Sequence, residues 1–564
     1  MMNIINSIEL SIKKITENSI RKCMTEKLIP EFEIDDINVE KPREKEHGEF
    51  STNIAMMMVK KAKMAPVKIA SMLVDNMDFK NTYILKAETA GPGFINFYLS
   101  DQWLYDNTEM IIKQKDNYGS SDYGKNEKVV VEYVSANPTG PLHMGNARGG
   151  ALGDLLANVL IKAGYHVSKE FYVNDAGNQI EKFGLSLEAR YLQELLGEDK
   201  VKFDEDLYQG ADIIDHVKNY IKEGRENLLD KDSEDRKKIL VDYALPKNIR
   251  AIKKGLKRYG ISYDKWFSEK SLYESKAVDE LIDYLVKHNH TFIKDEALWL
   301  KGESIGSEKD EVLTRSNGFP TYFAADIAYH WNKFKTRKFD RAINLLGVDH
   351  HGHVARMKGA MNAIGVGEEK LDIIIFQLVR LYRNGEVARM SKRTGKAISL
   401  DDLLDEVGVD AARFFFNLKT SGSHLDFDLD LAKKQSNENP VFYVQYAYAR
   451  ICSMLRILKE DDADIDKEEG IDYSLLKNNE EIELMKKLAE YPNDIIISCH
   501  TLEPSRMTRY VLDLASLFHS FYNACRVKGE NEELLYARMA LVKATKIVLK
   551  NALDILSIKA PEKM

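Results

Sequence analysis

The chain has 564 residues, 44% apolar and 30% charged, and a formal net charge of -8. That length exceeds what one hydrophobic core organises and predicts roughly three to four domains, while the ordinary globular composition excludes a long disordered region. No apolar run reaches the ~20 residues that span a bilayer and the N-terminus lacks a secretory pattern, so a cytoplasmic protein without a membrane span is expected.

The first hundred residues mix a helical start with β-like stretches at Tyr83–Glu88 and Phe94–Leu99 around the turn Gly91-Pro-Gly93, which predicts a small α+β domain over 1–118. A polar link, Tyr118 to Lys128, leads to a strand-like run, Val129-Val-Val-Glu-Tyr-Val134. The loop Ala136-Asn-Pro-Thr-Gly-Pro-Leu-His-Met-Gly-Asn146 follows. Then Leu152, Leu155, Leu156, Val159, Leu160 and Ala163 recur at three- and four-residue steps and stop at Gly164, an amphipathic helix with a glycine C-cap. A second strand is expected at Lys169–Val173. Strand, helix, strand implies a parallel sheet with a right-handed crossover, Rossmann-like, whose ligands sit at the carboxyl ends of the strands.

Residues 183–300 are charged and mostly helical in pattern, which suggests an insertion splitting the sheet. Core text resumes at Phe319–Asp326, with further strands at Arg341–Val348 and Ile373–Gln377, completing a central domain over 119–435. Beyond Pro440 the helical stretches Val441–Leu458, Tyr510–Asn523 and Glu533–Leu556 predict a helical bundle over 436–564. The expected class is α/β: a Rossmann-like parallel sheet with a helical insertion, a small N-terminal α+β domain and a C-terminal α-helical bundle.

The loop between strand and helix carries the first chemistry. His143, at the mouth of a helix whose first turn holds Gly145 and Asn146, can donate to phosphate oxygens, and Gly145 lets a nucleotide approach the backbone. Asn146 can donate but cannot be charged. Half a chain away, Arg389-Met-Ser-Lys-Arg393 is a short basic loop. Joined in one site, the two segments would hold a nucleoside triphosphate from two sides and stabilise a departing pyrophosphate, which is the chemistry of acyl adenylation. Asp349-His-His-Gly-His353 invites a metal reading, but it has no matching His-Glu pair or Cys cluster, and its strand delivers it to the same sheet edge as His143. No metal site is expected there. Cys23, Cys452, Cys499 and Cys525 are scattered and predict free thiols. The acidic balance disfavours nucleic-acid binding overall. Local basic faces remain, with Lys253–Arg258 and Lys333–Lys338 as candidates.

These two segments resemble the HIGH and KMSK signatures of class I aminoacyl-tRNA synthetases. With His47-Gly-Glu-Phe-Ser-Thr-Asn53, Gly91-Pro-Gly-Phe-Ile-Asn96 and the closing Ala560-Pro-Glu-Lys-Met564, the chain resembles the bacterial-type arginyl-tRNA synthetase family over most of its length. Asn146 stands where that signature commonly has a second His, and Arg389 where it has Lys. The resemblance implies ATP-dependent ligation of L-arginine to tRNA(Arg) through arginyl-adenylate, with release of AMP and pyrophosphate, Mg2+ accompanying ATP, and a monomer.

It also implies residue roles. His143, Asn146 and Lys392 would be catalytic, and ATP would meet these together with Gly145, Asp349, His350, Met390 and Ser391. Glu132, Ser135 and Asn137 would hold the α-amino end and backbone of arginine. Tyr322 and Asp326, four apart and on one face if helical, would meet the guanidinium, with Glu269 as a second acid and Asp349 nearby. The helical C-terminal domain would read tRNA through Tyr446, Tyr448 and Arg450, with Arg538 as a further contact. Tyr446, Tyr448 and Arg450 cannot all face one core. Two rivals remain at this point: a small-molecule adenylyltransferase, which has no use for a helical C-terminal domain, and a non-catalytic tRNA-binding paralogue.

Overall fold

In the computed structural model, which describes residues 3–388 and 398–564, the valine run after the polar link becomes the central strand β1 (Lys128–Glu132), with Val129, Val130 and Val131 fully buried. A continuous apolar run is what a strand covered on both faces requires. Around it lie β2 (His166–Val173), β3 (Lys265–Ser268), β4 (Arg341–Gly347) and β5 (Leu371–Phe376), in the order β5-β4-β1-β2-β3. Every pairing is parallel. The strand order reverses between β1 and β4, and a crevice opens at their carboxyl ends.

Helix α1 (Met144–Lys162) makes the crossover from β1 to β2. Its predicted apolar positions, Leu152, Leu155, Leu156, Val159 and Leu160, are at most 1% exposed, each contributing roughly 1.5–3 kcal/mol relative to exposure. Gly164 ends the helix at a φ of +90°, its own N–H reaching back to the Ile161 carbonyl and that of Tyr165 to Leu160, the expected glycine stop.

Strand β3 lies inside the segment expected to be one insertion, and this corrects the sequence reading. Helices Asn178–Leu196, Ala211–Lys222 and Ser233–Arg258 form one excursion with a core of its own around Phe183, Leu187, Tyr191 and Val217. The chain then returns to the sheet as β3. A second excursion holds Ala277–Lys287 and an antiparallel sheet of Thr291–Lys294, Ala297–Leu300 and Glu311–Thr314. Four residues with a terminal lysine show too little periodicity to announce β3. Helix α2 (Tyr322–Trp331) follows before β4, its Phe323, Ala324, Ile327 and Ala328 sharing one core with Val130 of β1 and Ala342 of β4.

The N-terminal region pairs the helix Ile4–Thr25 with an antiparallel sheet ordered Phe50–Thr52, Phe94–Leu99, Ile84–Ala90. Helix Gln102–Gln114 packs on the C-terminal bundle. That bundle comprises α3 (Pro440–Glu460), α4 (Asn479–Thr501), α5 (Ser505–Ala524) and α6 (Glu532–Leu556). Helix α4 was not anticipated because Pro492 stands in its interior, where proline removes a hydrogen bond and clashes with the preceding turn. Burial of Leu488, Tyr491 and Ile495 offsets that cost. The four cysteines are free and buried, and no described helix is long and apolar enough to cross a membrane.

Candidate active site

A cleft of about 1360 Å3 opens at the carboxyl ends of β1 and β4. His143, Gly145 and Asn146 line it, as do Glu132, Glu269 and Asp326. Ser135, Asn137, Tyr322, Asp349 and His350 line it as well. Every expected ATP and arginine contact within the described residues therefore faces one cavity. Met390, Ser391 and Lys392 lie outside the described residues. Ser399, shortly after them, forms a β-bridge with His143, and the Leu400 N–H donates to the Leu142 carbonyl at 2.8 Å. The chain thus returns to the signature histidine from the far half of the sequence.

His143 is the N-cap of α1. Its Nδ1 accepts from the Gly145 N–H at 3.2 Å, and its own N–H donates to the Asn146 Oδ1 at 3.0 Å, a reciprocal capping box. Since Nδ1 accepts, the neutral ring carries its proton on Nε2, a donor for an anion at the helix mouth. Burial holds the imidazole below its ordinary pKa, against the pull of Asp349. A Cβ at Gly145 would stand 3.1 Å from the His143 Cε1, so glycine there also makes room for the ring. Asn146, expected as a donor to ATP, uses its carbonyl oxygen to cap the helix. Its amide N–H2 remains the donor.

Past β1 the chain turns sharply through Val134 and Ser135, whose φ angles are +70° and +38°. A β-branched residue rarely adopts that conformation, and such strain clusters at functional sites. The turn is held by Ser135, whose Oγ donates to Glu132 Oε1 at 3.1 Å and accepts from the Tyr172 N–H at 3.1 Å. No residue type in Val134-Ser135 announces it.

The acids come from three elements: Glu132 ends β1, Glu269 follows β3, and Asp326 stands on α2, one turn after Tyr322. Burial, with Asp175 adding to it, pushes Glu269 up to about 7. Burial, then the charges of Glu269 and Glu132, push Asp326 up to about 8. His353 approaches the Asp326 carboxylate at 3.4 Å and is held down to about 4 by burial and Arg356, so it is a neutral neighbour. Tyr322 is 63% exposed at the rim. Crowded, partly desolvated carboxylates on one wall suit a delocalised cation with several N–H donors. Asp349 and His350 form the exposed turn after β4, 3.4 Å apart.

Beneath Glu132 lies what sequence reasoning missed. The run Lys333–Lys338, read as a candidate RNA face, begins as a π-helical turn, Asn332–Thr336. Lys333 is 0% exposed and donates to Glu132 Oε2 at 2.6 Å, while Arg337 pairs with the fully buried Glu170. These cations serve the interior, which corrects that reading. The other basic run does present Lys253, Lys254 and Lys257 to solvent, with Arg258 paired to Asp401 and Asp405.

In the bundle, Tyr446 and Arg450 line an open groove of about 710 Å3 together with Tyr522 and Arg526. The Arg450 guanidinium lies 4.6 Å from the Tyr446 ring and 4.4 Å from that of Tyr522. Tyr448 is buried, half a helical turn away, and Arg538 is buried in ion pairs with Glu481 and Glu530. Neither offers a surface to RNA, which corrects both expectations.

Three family models match the chain: "Arginyl tRNA synthetase N terminal domain" over residues 4–99, "tRNA synthetases class I (R), catalytic domain" over 107–422, and "DALR anticodon binding domain" over 444–564. The arginine–tRNA ligase of Acetivibrio thermocellus is 64% identical over 564 residues and that of Ruminiclostridium cellulolyticum 60%, each covering 100% of both chains. Among solved structures, the arginyl-tRNA synthetase of Thermus thermophilus superposes with a TM-score of 0.74 at 22% identity, covering 98% of this chain and all of its own. That of Plasmodium falciparum gives 0.74 at 20% identity, covering both chains completely; these two likenesses speak for the fold.

Proposed function

The chain belongs to the arginyl-tRNA synthetase family, class I, and from that premise we propose how its cleft joins arginine to tRNA. It is an arginine–tRNA ligase. The carboxylate of arginine attacks the α-phosphorus of ATP, pyrophosphate leaves, and a terminal ribose hydroxyl of tRNA(Arg) takes the arginyl group from arginyl-adenylate. The chemistry needs two anions held in line and the leaving charge stabilised, with no covalent enzyme intermediate.

The observation that carries the assignment is the convergence of Glu132, Glu269 and Asp326 on the cleft that also receives the mouth of α1. We assign Glu269, Asp326 and Tyr322 to the guanidinium, and Glu132, Ser135 and Asn137 to the other end of arginine, with Asp349 near both substrates. The Nε2–H of His143 and the backbone at Gly145 face the phosphates, Asn146 fixes the histidine, and His350 lies toward the adenosine. Lys392, with Met390 and Ser391, is assigned to the triphosphate, which the return of the chain to His143 at Ser399 supports. ATP enters with Mg2+ on its phosphates, an ion that keeps several waters, and the charge of Asp349 acts on His143 at the helix mouth. The enzyme is proposed to work as a monomer in the cytoplasm, where translation consumes its product. The small-molecule and non-catalytic alternatives find no support, since the likeness to arginine ligases runs the full length of the chain.

A charging assay with total tRNA and each amino acid separately tests this: arginine alone should give ATP-dependent aminoacylation, and acceptance of another amino acid instead would overturn it. For the bundle, we assign Tyr446 and Arg450 to unstacked anticodon bases. Arg450→Ala should raise the Michaelis constant for tRNA roughly tenfold, from a stacking loss of about 1–3 kcal/mol, with arginine and ATP unaffected. Arg538→Ala should instead lower stability by about 3–5 kcal/mol by leaving Glu481 buried and unpaired. Steady-state kinetics and thermal melts on the two variants separate the roles, and equal kinetic losses would refute them.

A further inference from the structure

Glu132 has an unfavourable setting that the established reaction does not explain. In the parallel register Asn344 of β4 pairs with Glu132 of β1, and Glu132 with Glu170 of β2. Two glutamates, 6% and 0% exposed, therefore stand side by side on one face. Like charges so placed are costly unless each has its own counter-charge. The turn after α2 supplies both, four residues apart. Arg337 takes Glu170, which also accepts from the Tyr329 hydroxyl at 2.5 Å, and Lys333 takes Glu132.

The surroundings of Lys333 are complete. Besides Glu132 Oε2, its ammonium donates to Asn344 Oδ1 at 3.1 Å and lies 4.1 Å from the centre of the Tyr329 ring, so three directions are filled by an anion, an amide and a π face. Asn344 Nδ2 in turn reaches His330 Nε2 at 3.0 Å, and His330 Nδ1 contacts the Asp326 carbonyl at 2.8 Å. A carbonyl only accepts, so His330 is the Nδ1–H tautomer and its Nε2 accepts from Asn344. Ser135 meanwhile donates to the other oxygen of Glu132.

We propose that Lys333 is a positioning residue for arginine recognition: it fixes the orientation of Glu132 in the cleft wall and, through Asn344 and His330, ties that carboxylate to the turn of α2 that carries Asp326. This rests on the reading of Glu132 and Asp326 as arginine contacts. Lys333 touches neither substrate; it acts by holding two acids from different elements in one spacing, which a guanidinium-bearing amino acid requires and ATP does not.

The test is a double-mutant cycle on the full chain, read as separate Michaelis constants for arginine and ATP. Lys333→Met should raise the arginine constant on the order of tenfold or more while ATP stays within about twofold. In a Glu132→Gln background, where the buried charge is already gone, adding Lys333→Met should change the arginine constant less than about twofold. A folded Lys333→Met enzyme with both constants unchanged overturns the proposal, as does a further tenfold loss in the Glu132→Gln background, and if Lys333→Met alone does not fold, the comparison of Glu132→Gln with the double variant decides. Should Glu132→Gln itself leave the arginine constant unchanged, the reading of Glu132 fails and the proposal with it; an impaired Glu132→Gln beside an unimpaired Lys333→Met removes only the role of Lys333.

Discussion

Replacing Asp326 by Asn raises the Michaelis constant for arginine about a hundredfold, leaves that for ATP within about twofold, and raises the melting temperature. The kinetic part follows from the loss of one charged acceptor in a desolvated pair with the guanidinium, worth about 2–5 kcal/mol. The stability part follows from the raised carboxyl. A group whose folded pKa lies above its unfolded value of ~3.9 stabilises the fold fully below that value and loses the contribution as pH rises through the folded pKa. For Asp326, held up to about 8 by burial and the charges of Glu269 and Glu132, that loss accrues from about 4 upward and is complete once pH exceeds about 8. Asn escapes this loss, so the melting gain of Asp326→Asn should be small near pH 4, grow steadily towards about 8 and level off above it. The same sign applies to the substrate. Arginine binds the ionised acids, so its affinity should rise with pH through the range of about 7 to 8 set by Glu269 and Asp326, with protons released on binding. Calorimetry in buffers of different ionisation enthalpy measures that release. A pH-independent arginine constant would remove both acids from the guanidinium pocket.

The second large effect separates two duties of His143. It caps α1 through Nδ1 and, in the proposed mechanism, donates to phosphate through Nε2. Asn is a strong N-cap but places no donor where the imidazole Nε2 stands. His143→Asn should therefore keep the melting temperature and lose about 10²–10³ in kcat, the usual loss for one preorganised transition-state donor. His143→Ala should lose the same activity and, in addition, about 1 kcal/mol of stability from the missing cap. If His143→Asn charges tRNA at the wild-type rate, the residue is structural only.

What the sequence makes legible is governed by periodicity and exposure. The valine run of β1, the three- and four-residue spacing of α1 and the stop at Gly164 are strong local signals, and each is realised within a few residues. Glu132 was legible as an acid in an apolar strand, whereas Asp326 and Glu269 were named from the family resemblance, and the structure adds that all three line one cleft. Lys333 was not legible, because a π-helical turn shifts the phase of its residues, and a run of four basic side chains in six residues reads as surface. Tyr446 and Arg450 share a helical face, being four apart, while Tyr448 falls on the opposite one; spacing alone said that the three diverge but not which side was core. Arg538 misled because α6 is buried along most of its length, so even its arginine faces protein. Glu132 is the instructive case. Its burial asked for a partner, and it has an internal one in Lys333 as well as a place in the cleft wall.

The most direct test of the account is a crystal structure with a non-hydrolysable arginyl-adenylate analogue. The guanidinium should lie within hydrogen-bond distance of Asp326 and Glu269, and the phosphate beside the His143 ring at the mouth of α1. An analogue bound with its guanidinium away from these acids, or with its phosphate remote from His143, would contradict it.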